Sequence, residues 1–373
     1  MHSENQGCLE GAARAMECLL PQELLDEAWK TPRRLHNLIR LINGELLPSL
    51  AQTPCDEIAR WGRVRLLRYK VPTARQQCPV LMVPSIINRH YILDLRPGES
   101  MVEYLVQQGI PVYMIDWGRP GPQDRYATLE DHILRWQGAA VREACKDAGV
   151  SAIHMLGYCL GGTFVAAYAA LRPRRVAGVL ALTAPINFHD DSLLSVWARS
   201  DVWNIDQLVN EFGLIPAELL QASFQQLNPV AQLQKARVFV ENLWNDGFVE
   251  RFLAMETWLN DNVDFPGATY IRHINDLYRG NRLMKDELTL GAETVRLGSI
   301  TCPVLTAVAS KDHICPSASA ALLHHRVSSQ DRTLLELEGG HIGVTVGRGA
   351  RAGLWKSTAD WLRARPCPPR QSV

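Results

Sequence analysis

A cysteine, an aspartate and a histidine stand in this chain in the order Cys159, Asp312, His341, each at the end of an apolar run. Cys159 sits in Met155-Leu-Gly157-Tyr-Cys159-Leu-Gly161-Gly162-Thr163, followed by an alanine-rich stretch of helical length. Glycines two positions before and two after a nucleophile allow a tight, strained turn from strand to helix. The thiol is then presented at the helix N-terminus, where backbone N–H groups and the helix dipole favour a thiolate and an oxyanion. The competing reading is a buried structural cysteine, and the strand before and helix after weigh against it.

A thiol nucleophile needs a base, and the base an orienting acid. His341 lies in Glu338-Gly-Gly-His341-Ile-Gly343, after a predicted strand and among glycines that let a loop carry it over the turn. His324 and His325 fall within a predicted helix and His273 within a predicted insertion, so these three are read as packing or surface residues. Asp312 follows the run Pro303–Ala309 and is read as the acid, with a turn or helix-capping role as its alternative. The chemistry implied is acyl transfer through Cys159, His341 and Asp312. An oxyanion would take one backbone N–H from Leu160 and one from the loop 84–91, from Ile87 or its neighbour.

These residues need a frame. Runs at 78–84, 111–116, 153–156, 177–183, 303–309 and 333–338 are short, apolar and bounded by Gly, Pro or polar residues. Such runs are strands buried on both faces, and the helix-length stretches 100–108, 129–148 and 162–171 alternate with them. The expectation is a mostly parallel sheet with helices on both faces, its core at 61–187 and 297–373. Residues 188–296, with Trp197, Trp203, Trp244 and Trp258, show no convincing strand and are read as a helical cap over the carboxyl ends of the strands. Residues 1–60 read as helical, broken at Pro21, Pro32, Pro48 and Pro54, and could serve as an arm or a cap.

Composition removes other classes. The 39 Lys+Arg match the 39 Asp+Glu, and 47% of residues are hydrophobic, so neither a nucleic-acid binder nor a disordered chain is indicated. No apolar run reaches the roughly 18 residues of a membrane span, and no secretory start is visible. Nine scattered cysteines without a Cys-x-x-Cys pair argue against a disulfide framework and a structural zinc site. Free thiols in a cytoplasmic setting are expected, with no metal.

Five separated segments resemble the polyhydroxyalkanoate synthases, which are cysteine enzymes on the α/β-hydrolase fold. They are Ile86–Leu95, Val112–Pro120, Gly157–Gly162, Phe252–Trp258 and Gly339–Gly343. The short N-terminal part looks like the catalytic subunit of the two-subunit enzymes, class III ahead of class IV. The resemblance implies that Cys159 takes an acyl group from (R)-3-hydroxyacyl-coenzyme A, and that the hydroxyl of a bound chain then attacks a thioester to lengthen a polyester. His341 would deprotonate Cys159, and Asp312 would orient His341 or help activate the hydroxyl. The thioester is the substrate and no cofactor is implied. A homodimer, a small helical second subunit and a place at the surface of polyester granules follow from the same resemblance. The chain departs from the family pattern at Leu160, Asn187, Cys315 and Thr345. A depolymerase or acyl-coenzyme A thioesterase on the same scaffold is the alternative, and a non-catalytic granule-binding subunit a more distant one.

Overall fold

A computed structural model describes residues 22–71, 78–202 and 204–368. Residues 1–21 of the stretch expected to be helical, and Trp203, lie outside these residues. The chain divides into two compact units, one of residues 1–48 and 228–257, the other of 49–227 and 258–373.

The larger unit is built on an eight-stranded sheet. Its strands are β1 (Cys55–Trp61), β2 (Val64–Tyr69), β3 (Val80–Val83), β4 (Val112–Asp116), β5 (Ile153–Tyr158), β6 (Val176–Leu182), β7 (Val304–Ala309) and β8 (Arg332–Leu337). The order across the sheet is β1-β2-β4-β3-β5-β6-β7-β8. The two pairings that involve β2 are antiparallel, and all the others are parallel. Strands β3, β4, β5 and β7 are buried at every position, as near-continuous Val, Ile, Leu and Met runs between two helical layers must be. All six predicted strands are present to within two residues of their bounds.

Three expectations are corrected. Strand β1 begins at Cys55, so the sheet starts before residue 61; its charged sequence, Cys-Asp-Glu-Ile-Ala-Arg-Trp, has no buried-strand signature because it is an outer strand. Residues 188–296 are not one body: 228–257 group with the N-terminal residues, while 188–227 and 258–296 group with the sheet. That stretch also holds two-residue strands, Leu214–Ile215 paired with Phe265–Pro266 and Thr289–Leu290 with Glu293–Thr294. Third, Cys78 and Cys367 form a disulfide across 289 residues, with Cα atoms 5.0 Å apart, where free thiols were expected. Sequence spacing carries no trace of this pair, because the fold alone brings the C-terminal tail to the entry of β3.

The smaller unit contains a helix over Gln22–Ile42, which continues through Pro32, and another over Pro229–Asn242. Asn37 Nδ2 donates to Leu243 O and Asp246 Oδ1, each at 2.8 Å, and Trp29 packs on Trp244 with centroids 5.3 Å apart. Ile42, Leu47 and Leu233 remain 75%, 83% and 75% exposed.

Candidate active site

The turn after β5 carries Cys159 with φ 55° and ψ −131°, a conformation few residues other than glycine adopt. Two bonds close it: Cys159 N–H donates to Leu182 O at 3.0 Å, and Gly162 N–H to Cys159 O at 2.8 Å. The glycines are demanded by close approach. A Cβ on Gly161 would run into the Val83 and Pro84 carbonyls, and one on Gly157 into the backbone of Gly161 and Gly162. The helix that follows, Leu160–Leu171, is almost wholly buried, so the turn is pressed between β3 and its own helix. Backbone strain held this firmly is the mark of a functional turn.

Asp312 stands three residues beyond β7. Its Oδ1 accepts from the N–H groups of Ile314 at 2.9 Å and Cys315 at 2.8 Å, which leaves Oδ2 for His341 Nδ1 at 2.7 Å. An ionised carboxylate only accepts, so Nδ1 carries the proton and Nε2 is free to serve the thiol. Cys159 lies close enough to the ring to act on its charge. Burial alone would lower the imidazole pKa, but Cys159 and Asp312 together push it up to about 10. With Asp312 on Nδ1, the ring is placed to exchange a proton with the Cys159 thiol. Tyr158 lies against the His341 ring, with centroids 5.4 Å apart.

The expected residues Cys159, Asp312 and His341 thus converge. Leu160, at the first position of the helix, and Ile87, in the facing loop, line the same cavity as Cys159. The Ile87 N–H donates at 3.3 Å to Ser85 Oγ, a contact that an oxyanion would have to share or displace. The cavity measures about 440 Å³ and is walled mainly by apolar side chains, among them Trp197, Leu220 and Ile274 of the inserted stretch. His273 also lines it but packs between Phe188, Phe265 and Tyr278, and burial lowers its pKa to about 4. His324 and His325 lie in the helix Ser317–Arg326, away from the cavity lining. Cys315 shares the cavity wall, but burial pushes its thiol well above the ordinary range.

Another cluster of ligand-type atoms among the described residues, Cys78, His154 and Cys367, lies within 4.8 Å. The two sulfurs bond to each other, and His154 Nε2 donates to Arg365 O at 2.8 Å. Only His154 Nδ1, facing Gly178, is left open, so the cluster offers no set of three free donors.

Fold and site together define an α/β-hydrolase whose elbow carries cysteine, and residues 79–347 match the alpha/beta hydrolase fold family. Residues 44–105 match the N-terminal region of poly-beta-hydroxybutyrate polymerase, PhaC. A poly(3-hydroxyalkanoate) polymerase subunit PhaC of Allochromatium vinosum is 34% identical over 351 residues, which cover 93% of this chain and 97% of that protein. One from Haloferax mediterranei is 36% identical over 321 residues, covering 85% of this chain and 65% of the longer relative. The chain belongs to the PhaC family of poly(3-hydroxyalkanoate) polymerases, acyltransferases on the α/β-hydrolase fold. A thermophilic esterase from Thermogutta terrifontis, 17% identical with a TM-score of 0.50 over 83% of this chain and 97% of its own, shares that fold. No described helix is long and apolar enough to cross a membrane.

Proposed function

We propose that the protein polymerises (R)-3-hydroxyacyl-coenzyme A, with short acyl groups such as 3-hydroxybutyryl as its substrates, through a thioester on Cys159. The observation that carries this reading is the Cys159–His341–Asp312 relay opening on an apolar cavity within a PhaC-family chain. The Cys159 thiolate attacks the thioester carbonyl, and the oxyanion is held by the N–H of Leu160 and one from the loop at Ile87. Collapse expels the coenzyme A thiolate, which takes the proton from His341. The hydroxyl of a second acyl unit then gives its proton to His341 Nε2 and attacks the acyl-Cys159 carbonyl, so the ester forms and the Cys159 thiolate leaves. Cysteine suits this cycle because it and the departing thiol have similar leaving ability, and a largely apolar wall disfavours water as acceptor. No cofactor takes part, since the thioester is already the activated substrate.

The reading extends to partners and place. That the relatives are polymerase subunits supports a second subunit, and the exposed apolar side chains of the smaller unit suit contact with such a subunit, a second copy, or a polyester granule.

Purified protein given 3-hydroxybutyryl-coenzyme A tests the reading. Free thiol with insoluble polymer is expected, whereas free thiol with only 3-hydroxybutyrate would make the protein a thioesterase. Cys159→Ala is expected to abolish thiol release with the unfolding midpoint unchanged; full activity in that variant would remove Cys159 from the reaction.

A further inference from the structure

Three of the segments singled out in the sequence contribute nothing to the catalytic relay itself: Ile86–Leu95, Val112–Pro120 and the end of Phe252–Trp258. In the fold they meet. The loop 85–91, which faces Cys159, is bonded along its length to residues 258–263. Val263 N–H donates to Ile87 O at 3.3 Å, Asn88 Nδ2 to Asn262 Oδ1 at 2.5 Å, and Trp258 Nε1 to Arg89 O at 2.9 Å. Tyr91 OH donates to Asp261 Oδ2 at 2.7 Å. From the loop after β4, Arg119 reaches Asn262 O at 3.2 Å and pairs with Asp261, while Trp117 Nε1 donates to Pro84 O at 3.0 Å. Asn262 Nδ2 donates onward to Gln221 Oε1 at 2.7 Å, in the helix Ala217–Gln226 whose other face lines the cavity.

We propose that Trp258 and Asn262 are positioning residues, which set the backbone of the loop 87–89 so that its N–H groups point at the oxyanion formed on the acyl group. The proposal rests on the acyl-transfer reading above. Its physical basis is peptide geometry. In a trans peptide the N–H points opposite the C=O, so a bond that holds Ile87 O also fixes the direction of the Asn88 N–H. Bonds at Ile87 O and Arg89 O, with the Asn88 side chain between them, leave three consecutive residues little freedom. Trp258 is 2% exposed and its N–H has no water to turn to, so the bond to Arg89 O is costly to break. An oxyanion donor acts only when charge develops, and misplacement of about 1 Å is enough to cost roughly 10²-fold in rate.

The test separates a reaction that builds an oxyanion from one that does not. Trp258→Phe, Asn262→Ala and Asn88→Ala are compared with the parent in single-turnover thiol release from 3-hydroxybutyryl-coenzyme A. The same proteins are compared in alkylation of Cys159 by iodoacetamide, followed by mass spectrometry of the Cys159 peptide. Alkylation is a displacement at carbon and needs the thiolate but no oxyanion. Acylation at saturating substrate is expected to fall about tenfold or more in each variant with KM within about twofold, while alkylation stays within about twofold. Asn88→Ala combined with Asn262→Ala is expected to be no worse than Asn262→Ala alone, since that single change already removes the bond between the two side chains. Parent-like acylation, or acylation and alkylation falling in parallel, would overturn the proposal. Absence of thiol release from the parent enzyme would overturn the acyl-transfer reading itself, and this proposal with it.

Discussion

The two walls that face each other across Cys159 are built on opposite plans. The elbow wall is held by its own neighbours: the strand before it, the helix after it, and glycines that let β3 pass within touching distance. The loop wall at 85–91 has no such local frame and takes its shape from side chains 170 and 174 residues away. Local restraint places Cys159 whatever the inserted stretch does. Distant restraint makes the loop side answer to residues 258–263, on the same stretch that walls the cavity. The difference separates a part that must always be ready from a part that can be correct only when the insertion is seated.

Perturbing the elbow is expected to have the largest effect. In Gly161→Ala the new methyl meets backbone oxygens of Val83 and Pro84, which cannot rotate away as a flexible side chain would. A loss of about 2–3 kcal/mol in unfolding free energy and near-complete loss of thiol release are expected, read by urea denaturation and a thiol assay. A variant with the parent's midpoint and activity would show that the elbow is not locally restrained after all. Asp312→Asn comes next. Its amide oxygen can still accept from Ile314 and Cys315, so the loop survives, but the imidazole loses its anionic partner. Acylation is expected to fall about 10²–10³-fold, with chain elongation slowed further. Equal loss in both steps would confine Asp312 to orienting His341.

The same contrast explains what could be read from sequence. Cys159 was readable because the elbow is written within nine consecutive residues, and Asp312 and His341 because each directly follows an apolar strand. The five inner strands were readable for a related reason: burial on both faces leaves a nearly uninterrupted apolar run, whereas β8, expected to be buried in the same way, is the outer strand and is exposed or half-buried at every position. Strands β1 and β2 escaped notice because an antiparallel edge may carry charge, and Arg65 and Arg68 of β2 are spent on Asp116 and Asp147. Nothing near Trp258 or Asn262 announced a tie to residues 87–89, since a hydrogen bond between distant segments leaves no periodicity. The Cys78–Cys367 bond was invisible for the same reason. Even the division of the inserted stretch at 228 and 257 follows from packing with the N-terminal helix, which local composition does not record.

A smaller effect is expected from pH. His341 is buried, and Cys159 with Asp312 raises its folded pKa to about 10 from an ordinary 6.5. A base whose pKa is raised by folding contributes its full stability below the unfolded value and loses it as pH climbs through the folded one. The difference in unfolding free energy between the parent and His341→Gln is therefore expected to be largest at or below about pH 6.5 and to shrink steadily toward pH 10. Urea titrations at intervals across that window read it directly. A difference that grew with pH would mean that the ring is neutral in the folded protein and that Asp312 faces no charged partner there.

The smallest effect belongs to the far end of the loop wall. Tyr91 is 7% exposed, and burial with the neighbouring Asp261 carboxylate holds its phenol far above the ordinary range, so it remains a donor at any working pH. Tyr91→Phe removes that single bond while Arg119 and Arg89 continue to face Asp261, the latter at 3.9 Å. About 1 kcal/mol of stability and a loss of about threefold in thiol release are expected, well short of Asn262→Ala. The gradient between the two substitutions is informative because Asn262 bonds one residue from Ile87 and Tyr91 four residues away. A Tyr91→Phe enzyme as impaired as Asn262→Ala would show the loop moving as one rigid piece, with Asp261 rather than Asn262 as the point from which the inserted stretch sets it.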